Sequence, residues 1–366
     1  MKKLLMSATA IAGLATVAAP AMAEGLSLEL GGFYRGYAVY ADNDVTDERD
    51  IELRQDSEIH FSAETTLDNG LTVGFHAEQE LYSADGANPE VDEAYVYFSG
   101  NWGRVNVGRE DGAQFLLQVA APSADKNVDG IRRYIGGLNL NGSAFGTPPA
   151  GLESDIDYAN DMGEQLHKLT YMTPKFNGFQ AGLTYAPQVD DDPIRGAAGD
   201  APMGTDNDND EFEDLWEIAA RWDGEFEGVS VSLGAGYGSA SIENDGGGFD
   251  DDRDQWNVAF NLGFNAFTFG AAYTEDNNGI SSDGDEDTYF VGLGYENGAY
   301  TAGLSYLNIE QEAGPGAEDE IDLWTLGGTY TFGPGMSFRG AIATGELEGA
   351  VDRDITQVTL GTDISF

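Results

Sequence analysis

DQWNVAFNLGFNAFTFGAAY, residues 254–273, alternates with a period of two. Trp256, Val258, Phe260, Leu262 and Phe264 share one side of an extended segment. After the short break at Asn265 and Ala266 the oily set resumes at Phe267, Phe269, Ala271 and Tyr273. Successive side chains of a strand point to opposite faces, so each arm of this hairpin has one apolar side and one polar or small side. A ribbon of that kind lies between an apolar phase and water.

The same pattern recurs along the chain, bounded by Gly, Asn and Asp turns. In DIELRQDSEIHFSAETT (50–66) the odd positions Ile51, Leu53, Ile59, Phe61 and Ala63 are apolar, while Glu52, Arg54, Asp56, Glu58, His60 and Glu64 are polar or charged. The chain ends on QVTLGTDISF, where Val358, Leu360, Ile364 and Phe366 oppose Gln357, Thr359 and Asp363. The pattern predicts strands at 26–40, 51–65, 70–82, 91–99, 102–109, 165–173, 178–186 and 213–223. Eight more fall at 228–240, 254–264, 266–274, 286–296, 299–309, 320–332, 336–345 and 354–366. No helical stripe of comparable length is present, so the chain reads as all-β.

Connections alternate between very short ones (DNG, GNWG, NA, GPG) and long acidic ones such as PQVDDD, DNDNDEFED, ENDGGGFDDDRD and SSDGDED. An even number of strands with tight turns at one rim and long loops at the other is the plan of a closed antiparallel barrel that crosses a membrane. In lipid every backbone group must be paired internally, which a closed barrel achieves. A large secreted β-sandwich would also alternate, but it would bury its oily faces in a shared core and keep its charges outside. Here the apolar faces are long and aromatic-tipped and the opposite faces are charged on strand after strand. Closing them into one sheet puts the charges around water.

The termini and composition agree. MKKLLMSATAIAGLATVAAPAMA, residues 1–23, has two lysines, an apolar stretch and a small-residue exit, the pattern of a secretory signal peptide, so residues 24–366 are expected to form the barrel domain. The chain holds 65 acidic against 17 basic residues, a formal charge of −48, which disfavours nucleic acid as a partner. It has no cysteine, so no disulfide framework.

Four stretches carry a family resemblance: LDNGLTVGFHAEQEL (67–81), EAYVYFSGNWGRVNVGRE (93–110), LTYMTPKFNGFQAGLTYAP (169–187) and TLGTDISF (359–366). In this order and spacing they resemble the general diffusion porins of Gram-negative outer membranes, which are trimers of sixteen-stranded barrels. The resemblance implies a third loop, here about 110–164, that folds inward and narrows the pore, most of all between Asp111 and Gly142. It also implies acids on that loop facing bases on the opposite wall. Arg35 and Arg109 match basic wall positions. Glu58 and Met172 stand where relatives often carry a base, so the basic wall is thinned. Asp111, Asp125 and Asp129 are the candidate loop acids, with Lys126, Arg132 and Arg133 among them. Strand parity adds Arg54, His76, Glu78, Glu80, Arg104, Lys168 and Arg221 to the inward set.

No catalytic constellation is apparent. His60 and His76 share an inward parity but have no nucleophile beside them. Asp206, Asp208, Asp210 and Glu217 have calcium-loop spacing, yet Glu211 stands where the turn needs Gly, so calcium is expected only as a guest of acidic loops and no cofactor is assigned. Tyr40, Tyr97, Trp102, Tyr171, Phe176, Phe179, Tyr185, Tyr237, Tyr273 and Tyr306 are candidates for aromatic girdles at the two membrane surfaces.

The expected function is a passive, cation-preferring channel for ions and small hydrophilic solutes in the outer membrane, surrounded by lipid and assembled as a homotrimer. The terminal Phe366 resembles the signal read by the outer-membrane barrel assembly machinery. Two alternatives stay open: a substrate-specific porin with a binding site in its lumen, and a plugged barrel acting as a structural or adhesive surface protein.

Overall fold

Each predicted strand lies within a few residues of an observed one. The structure, a computed structural model, describes residues 27–42, 51–82, 91–123, 158–160, 162–164, 166–189, 212–243, 249–282, 284–312, 318–349 and 352–366. The first eight strands are β1 (Ser27–Asp42), β2 (Ile51–Thr66), β3 (Thr72–Tyr82), β4 (Val91–Gly100), β5 (Gly103–Glu110), β6 (Leu166–Met172), β7 (Phe179–Gln188) and β8 (Phe212–Phe226). The second eight are β9 (Val229–Ile242), β10 (Arg253–Phe264), β11 (Phe267–Asp276), β12 (Glu286–Asn297), β13 (Tyr300–Glu312), β14 (Glu318–Gly333), β15 (Met336–Glu348) and β16 (Arg353–Ser365). One helical turn, α1 (Ala113–Leu116), follows β5. The proposed signal peptide lies outside the described residues.

Every strand pairs antiparallel with its neighbours in sequence, and β16 returns to β1, closing the barrel. At the seam Arg35 stands opposite Asp363 and Tyr34 opposite Ile364. The ladder runs to the last residue: Phe366 N–H donates to the Gly32 carbonyl and Gly32 N–H to that of Phe366, both at 3.1 Å. The tight turns use residues that tolerate positive φ. Asn177 (49°) precedes Gly178 (86°), and Glu227 (50°) precedes Gly228 (82°), the left-handed pairs that two-residue hairpins require.

Register settles which side of each strand faces out. Leu53 is 82 % exposed, and the outward sets Val258 and Leu262, Val291 and Leu293, and Leu304 and Leu326 are likewise uncovered by protein. That is a surface built for hydrocarbon. Two aromatic belts bound it. Near the long-loop rim Tyr185 meets Trp216, Trp256 meets Tyr273, Tyr273 meets Tyr289, and Tyr306 meets Trp324, with centroids 4.6–5.0 Å apart. Near the short-turn rim Trp102 stacks on Tyr171, Phe267 meets Tyr295, and Tyr300 meets Tyr330. Tyr273 and Phe267, Tyr289 and Tyr295, Tyr306 and Tyr300, and Trp324 and Tyr330 are each six residues apart on β11 to β14. At ~3.3 Å per residue the belts stand about 20 Å apart along the strand.

Tyrosines of the long-loop belt donate to carboxylates just beyond it: Tyr185 to Asp214 (2.5 Å), Tyr237 to Asp254 (2.6 Å) and Tyr306 to Asp322. A ring in lipid with its hydroxyl on a wet acid suits the interface. Tyr97 corrects the girdle expectation. It pairs with Gly74 and Asn106 on the inward face, and its hydroxyl donates to Glu64 at 2.6 Å.

The interior is not uniformly polar, contrary to the simple alternation. Val119, Ala121 and Tyr158 from the loop between β5 and β6 pack with the inward Ala259, Ala272, Phe290, Leu307, Ile309, Ile321 and Leu323 of β10 to β14. One side of the barrel is therefore lined by an apolar core. The wall from β15 through β1 to β5 carries an extended set of charges.

Candidate functional site: the lumen wall and its inward loop

After β5 the chain turns inward and lies against the wall from β6 to β12. A row of inward glycines makes the seat. A Cβ on Gly234 would lie 2.7 Å from a Val119 methyl, one on Gly236 2.7 Å from the Gln114 side chain, and one on Gly292 would fall onto the Pro122 carbonyl oxygen. Backbone and side chain alike then tie the segment down. Ala113 N–H donates to Thr184 Oγ1 (2.8 Å), Asn261 Nδ2 to the Ala120 carbonyl (2.6 Å) and Arg221 Nη1 to the Gln118 carbonyl (3.2 Å). Gln118 and Tyr158 clasp the two limbs of the loop, Gln118 Nε2 donating to the Tyr158 carbonyl at 2.7 Å and Tyr158 Oη accepting from Ala121 N–H at 3.0 Å.

Glu217 is the anchor beneath α1. It is 1 % exposed, accepts from Gln114 N–H, and has room only because Gly112 and Gly163 carry no side chain. Its place on the inward face of β8 removes it from the calcium-loop spacing. The other three residues of that run lie outside the described residues.

The wall left facing the lumen runs from β15 through β1 to β5. At its first part three arginines each meet a carboxylate. Arg339 Nη1 reaches Asp363 Oδ2 at 2.6 Å, Arg35 Nη1 reaches Asp56 Oδ2 at 2.8 Å, and Arg54 Nε reaches Glu52 Oε2 at 3.2 Å. Arg35 also lies over the Phe33 ring, 3.8 Å from its centroid. From β2 to the foot of the loop the acids outnumber the bases. Glu58, Glu78 and Asp92 converge, as do Asp56, Glu58 and Glu80. Glu93, Glu110 and Asp111 act electrostatically on one another and on Lys168. Among the described residues of this stretch, Arg104 and Lys168 are the inward basic side chains set against Glu58, Glu78, Glu80, Asp92, Glu93, Glu110 and Asp111, Arg54 being held by Glu52.

The expected site residues therefore divide. Arg35, Arg54, Glu58, His76, Arg104 and Lys168 stand on inward positions, together with Met172. Glu58 accepts from His60 at 3.0 Å, and His76 Nε2 meets Glu78 Oε1 at 2.7 Å. Arg104 lies over the Tyr97 ring, 3.9 Å from its centroid, and donates from Nε to Asn106 at 2.6 Å. Asp111 is half-buried at the foot of the loop. Arg109 is a correction: its register partners are Ala94 and His167, so it shares the outward face with Val107 and Leu169, is 8 % exposed and donates to the Asp92 carbonyl at 3.0 Å. Counting two back to Val107 would have shown it. Asp125 and Asp129, with Lys126, Arg132 and Arg133, lie outside the described residues. Sequence reasoning missed the Arg339 and Asp363 pair, which only the β15 to β16 register reveals, and Glu93, whose parity with Tyr95 and Tyr97 was readable.

A family model described as Gram-negative porin matches residues 7–350. The chain belongs to the Gram-negative porin family. This porin shares its fold with the anion-selective porin from Comamonas acidovorans, at a TM-score of 0.68 and 21 % identity, covering 93 % of this chain and 100 % of that one. A mutant of the Rh. blastica porin superposes with a TM-score of 0.60 at 19 % identity over the same shares. In sequence the porin is 29 % identical over 199 residues to a porin-like protein L of Photobacterium profundum, covering 44 % of this chain and 57 % of that protein. It is also 27 % identical over 214 residues to an uncharacterized protein of Rickettsia conorii, 52 % of this chain and 49 % of that one. The chain spans about half the length of the curated relatives it matches first. As a member of the family it is an outer-membrane β-barrel.

Proposed function

We propose that this porin is a passive, water-filled channel for ions and small hydrophilic solutes that favours cations. The observation that carries the reading is the luminal wall from β2 to the foot of the loop, where among the described residues seven carboxylates face the two inward basic side chains Arg104 and Lys168, while Arg339, Arg35 and Arg54 each meet a carboxylate. A surplus of carboxylates over basic side chains between low-dielectric walls raises the local concentration of cations and lowers that of anions. At physiological salt the screening length is about 8 Å, so the effect is strongest where the loop narrows the path. Anion selectivity belongs to the Comamonas acidovorans protein; the wall described here supports the opposite sign. No catalytic role is assigned.

The porin is further proposed to be a homotrimer that buries the outer face of β1 to β5. The paired aromatic belts run from the β4 to β5 turn and β6 to β14, whereas β1 to β3 present Gly36, Gln55, Ser57 and Gln79 outward, with Tyr34 Oη donating to Gln55 at 3.4 Å. Hydrocarbon solvates such polar side chains poorly, and a neighbouring protomer would cover them. Residues 1–23 are proposed as the export signal. Phe366 is proposed as the handle for the barrel assembly machinery, and calcium as at most a guest of the acidic loops.

Insertion into a planar bilayer in KCl tests the channel itself. Stepwise, ohmic current increments are expected. A barrel that inserts without conducting overturns the reading and favours the plugged alternative.

A further inference from the structure

Two short mirror-image runs, Glu58-Ile59-His60 on β2 and His76-Ala77-Glu78 on β3, meet in the lumen. The antiparallel register sets His60 opposite Glu78 and His76 opposite Ser62. The two imidazoles stand 5.9 Å apart between centroids, and both remain open to lumen water, with 27 % and 20 % of their side chains exposed. His60 Nδ1 lies 3.5 Å and His76 Nε2 2.7 Å from the same Glu78 oxygen, and donor atoms of all three residues fall within 4.8 Å of one another.

The other nitrogen of each ring is held from behind. His60 Nε2 is 3.0 Å from Glu58 Oε2, and His76 Nδ1 is 2.8 Å from Ser62 Oγ. A metal-binding imidazole is oriented in this way: one nitrogen faces the ion, and the other donates its proton to a carboxylate or oxygen that fixes tautomer and ring angle. Neither the paired arginines nor the acidic wall explains this arrangement.

We infer that His60, His76 and Glu78 form a luminal binding site for a first-row divalent transition ion, with zinc the natural probe. Two imidazoles and one carboxylate make a three-ligand set with a fourth position open to the pore water, a set that suits zinc, nickel or copper and not the all-oxygen preference of magnesium or calcium. Small side-chain rotations bring the donors to the ~2 Å bond lengths zinc requires. An ion held there puts two positive charges on the acidic wall, so binding reduces cation current.

The inference places its ligand in the lumen of the proposed channel, and the experiment separates the two ideas. Zinc titrated calorimetrically into detergent-solubilised porin reads the site without requiring conduction, and zinc added to a bilayer carrying KCl current reads its effect on the path. Saturable zinc binding is expected, with block reversed by EDTA and no comparable effect from equal magnesium. His60→Asn/His76→Asn should abolish binding, and Ser62→Ala, which frees one ring, should weaken it ~10–100-fold. Heat-modified electrophoretic mobility shows that each variant forms a barrel. Absence of zinc binding in the natural protein, equal binding by the histidine double variant, or equal block by magnesium overturns the site. Absence of KCl current with zinc binding intact overturns the channel and leaves the site standing.

Discussion

Arg35 on β1 and Asp56 on β2 are direct cross-strand partners, and the guanidinium meets the carboxylate at 2.8 Å with both side chains almost fully covered. The basic side chain that the family places on the pore wall is thus present but neutralised where it stands. Arg35→Gln leaves Asp56 as a buried, unpaired charge and is expected to destabilise the barrel by about 3 kcal/mol. Arg35→Gln/Asp56→Asn should recover most of that loss. Urea unfolding followed by tryptophan fluorescence provides the comparison.

The loop seat is equally specific. Gly292→Val drives a side chain into the Pro122 carbonyl and should cost roughly 1–3 kcal/mol by overpacking, with a changed unit conductance as the loop shifts. Gly333 has open space where its Cβ would be, so Gly333→Ala at the β14 to β15 turn is expected to leave both unchanged. Thermal melting and single-channel recording distinguish the two.

Phe366 closes the seam through two backbone hydrogen bonds to Gly32 while its ring stays 66 % exposed. Deleting it removes both bonds, each worth about 1 kcal/mol, and one ring from the lipid face. The expected outcome is a smaller folded fraction in outer-membrane preparations and an unaltered ion preference in the molecules that do fold. An unchanged folded fraction would remove the proposed assembly role.

Between β9 and β12 two loops are latched by Asp250, which accepts from Ser281 N–H at 2.6 Å and from its hydroxyl at 2.8 Å. These bonds, the backbone one first, hold the Asp250 carboxyl below the usual aspartate range. With the folded value depressed, the latch is at full strength above the ordinary aspartate pKa of about 4 and weakens as pH falls through the lower folded value. Hydrogen exchange at the Ser281 amide should therefore hold steady from neutrality to about pH 5 once corrected for intrinsic rate, and its protection should fall in stronger acid. Asp250→Asn should lose part of that protection at neutral pH.

Strand count, order and facing were legible because a closed barrel between lipid and water makes period two an energetic requirement on nearly every strand. The apolar side of the lumen was less so. Leu307 and Ile309 are inward while Leu304 and Tyr306 are outward, so both parities of β13 are apolar and alternation loses its contrast. That doubling was the available sign that a loop covers the inside. Arg109 was misplaced because a matched motif was followed ahead of its parity. The Arg339 and Asp363 pair depends on a register that sequence spacing alone does not provide.

The most direct test of the acidic wall is the zero-current potential of the porin in a planar bilayer under a KCl gradient. The surplus of Glu58, Glu78, Glu80, Asp92, Glu93, Glu110 and Asp111 requires the sign set by potassium. Glu58→Gln/Asp92→Asn/Glu93→Gln should bring the potential toward zero. A potential of the sign set by chloride in the natural protein would contradict the account.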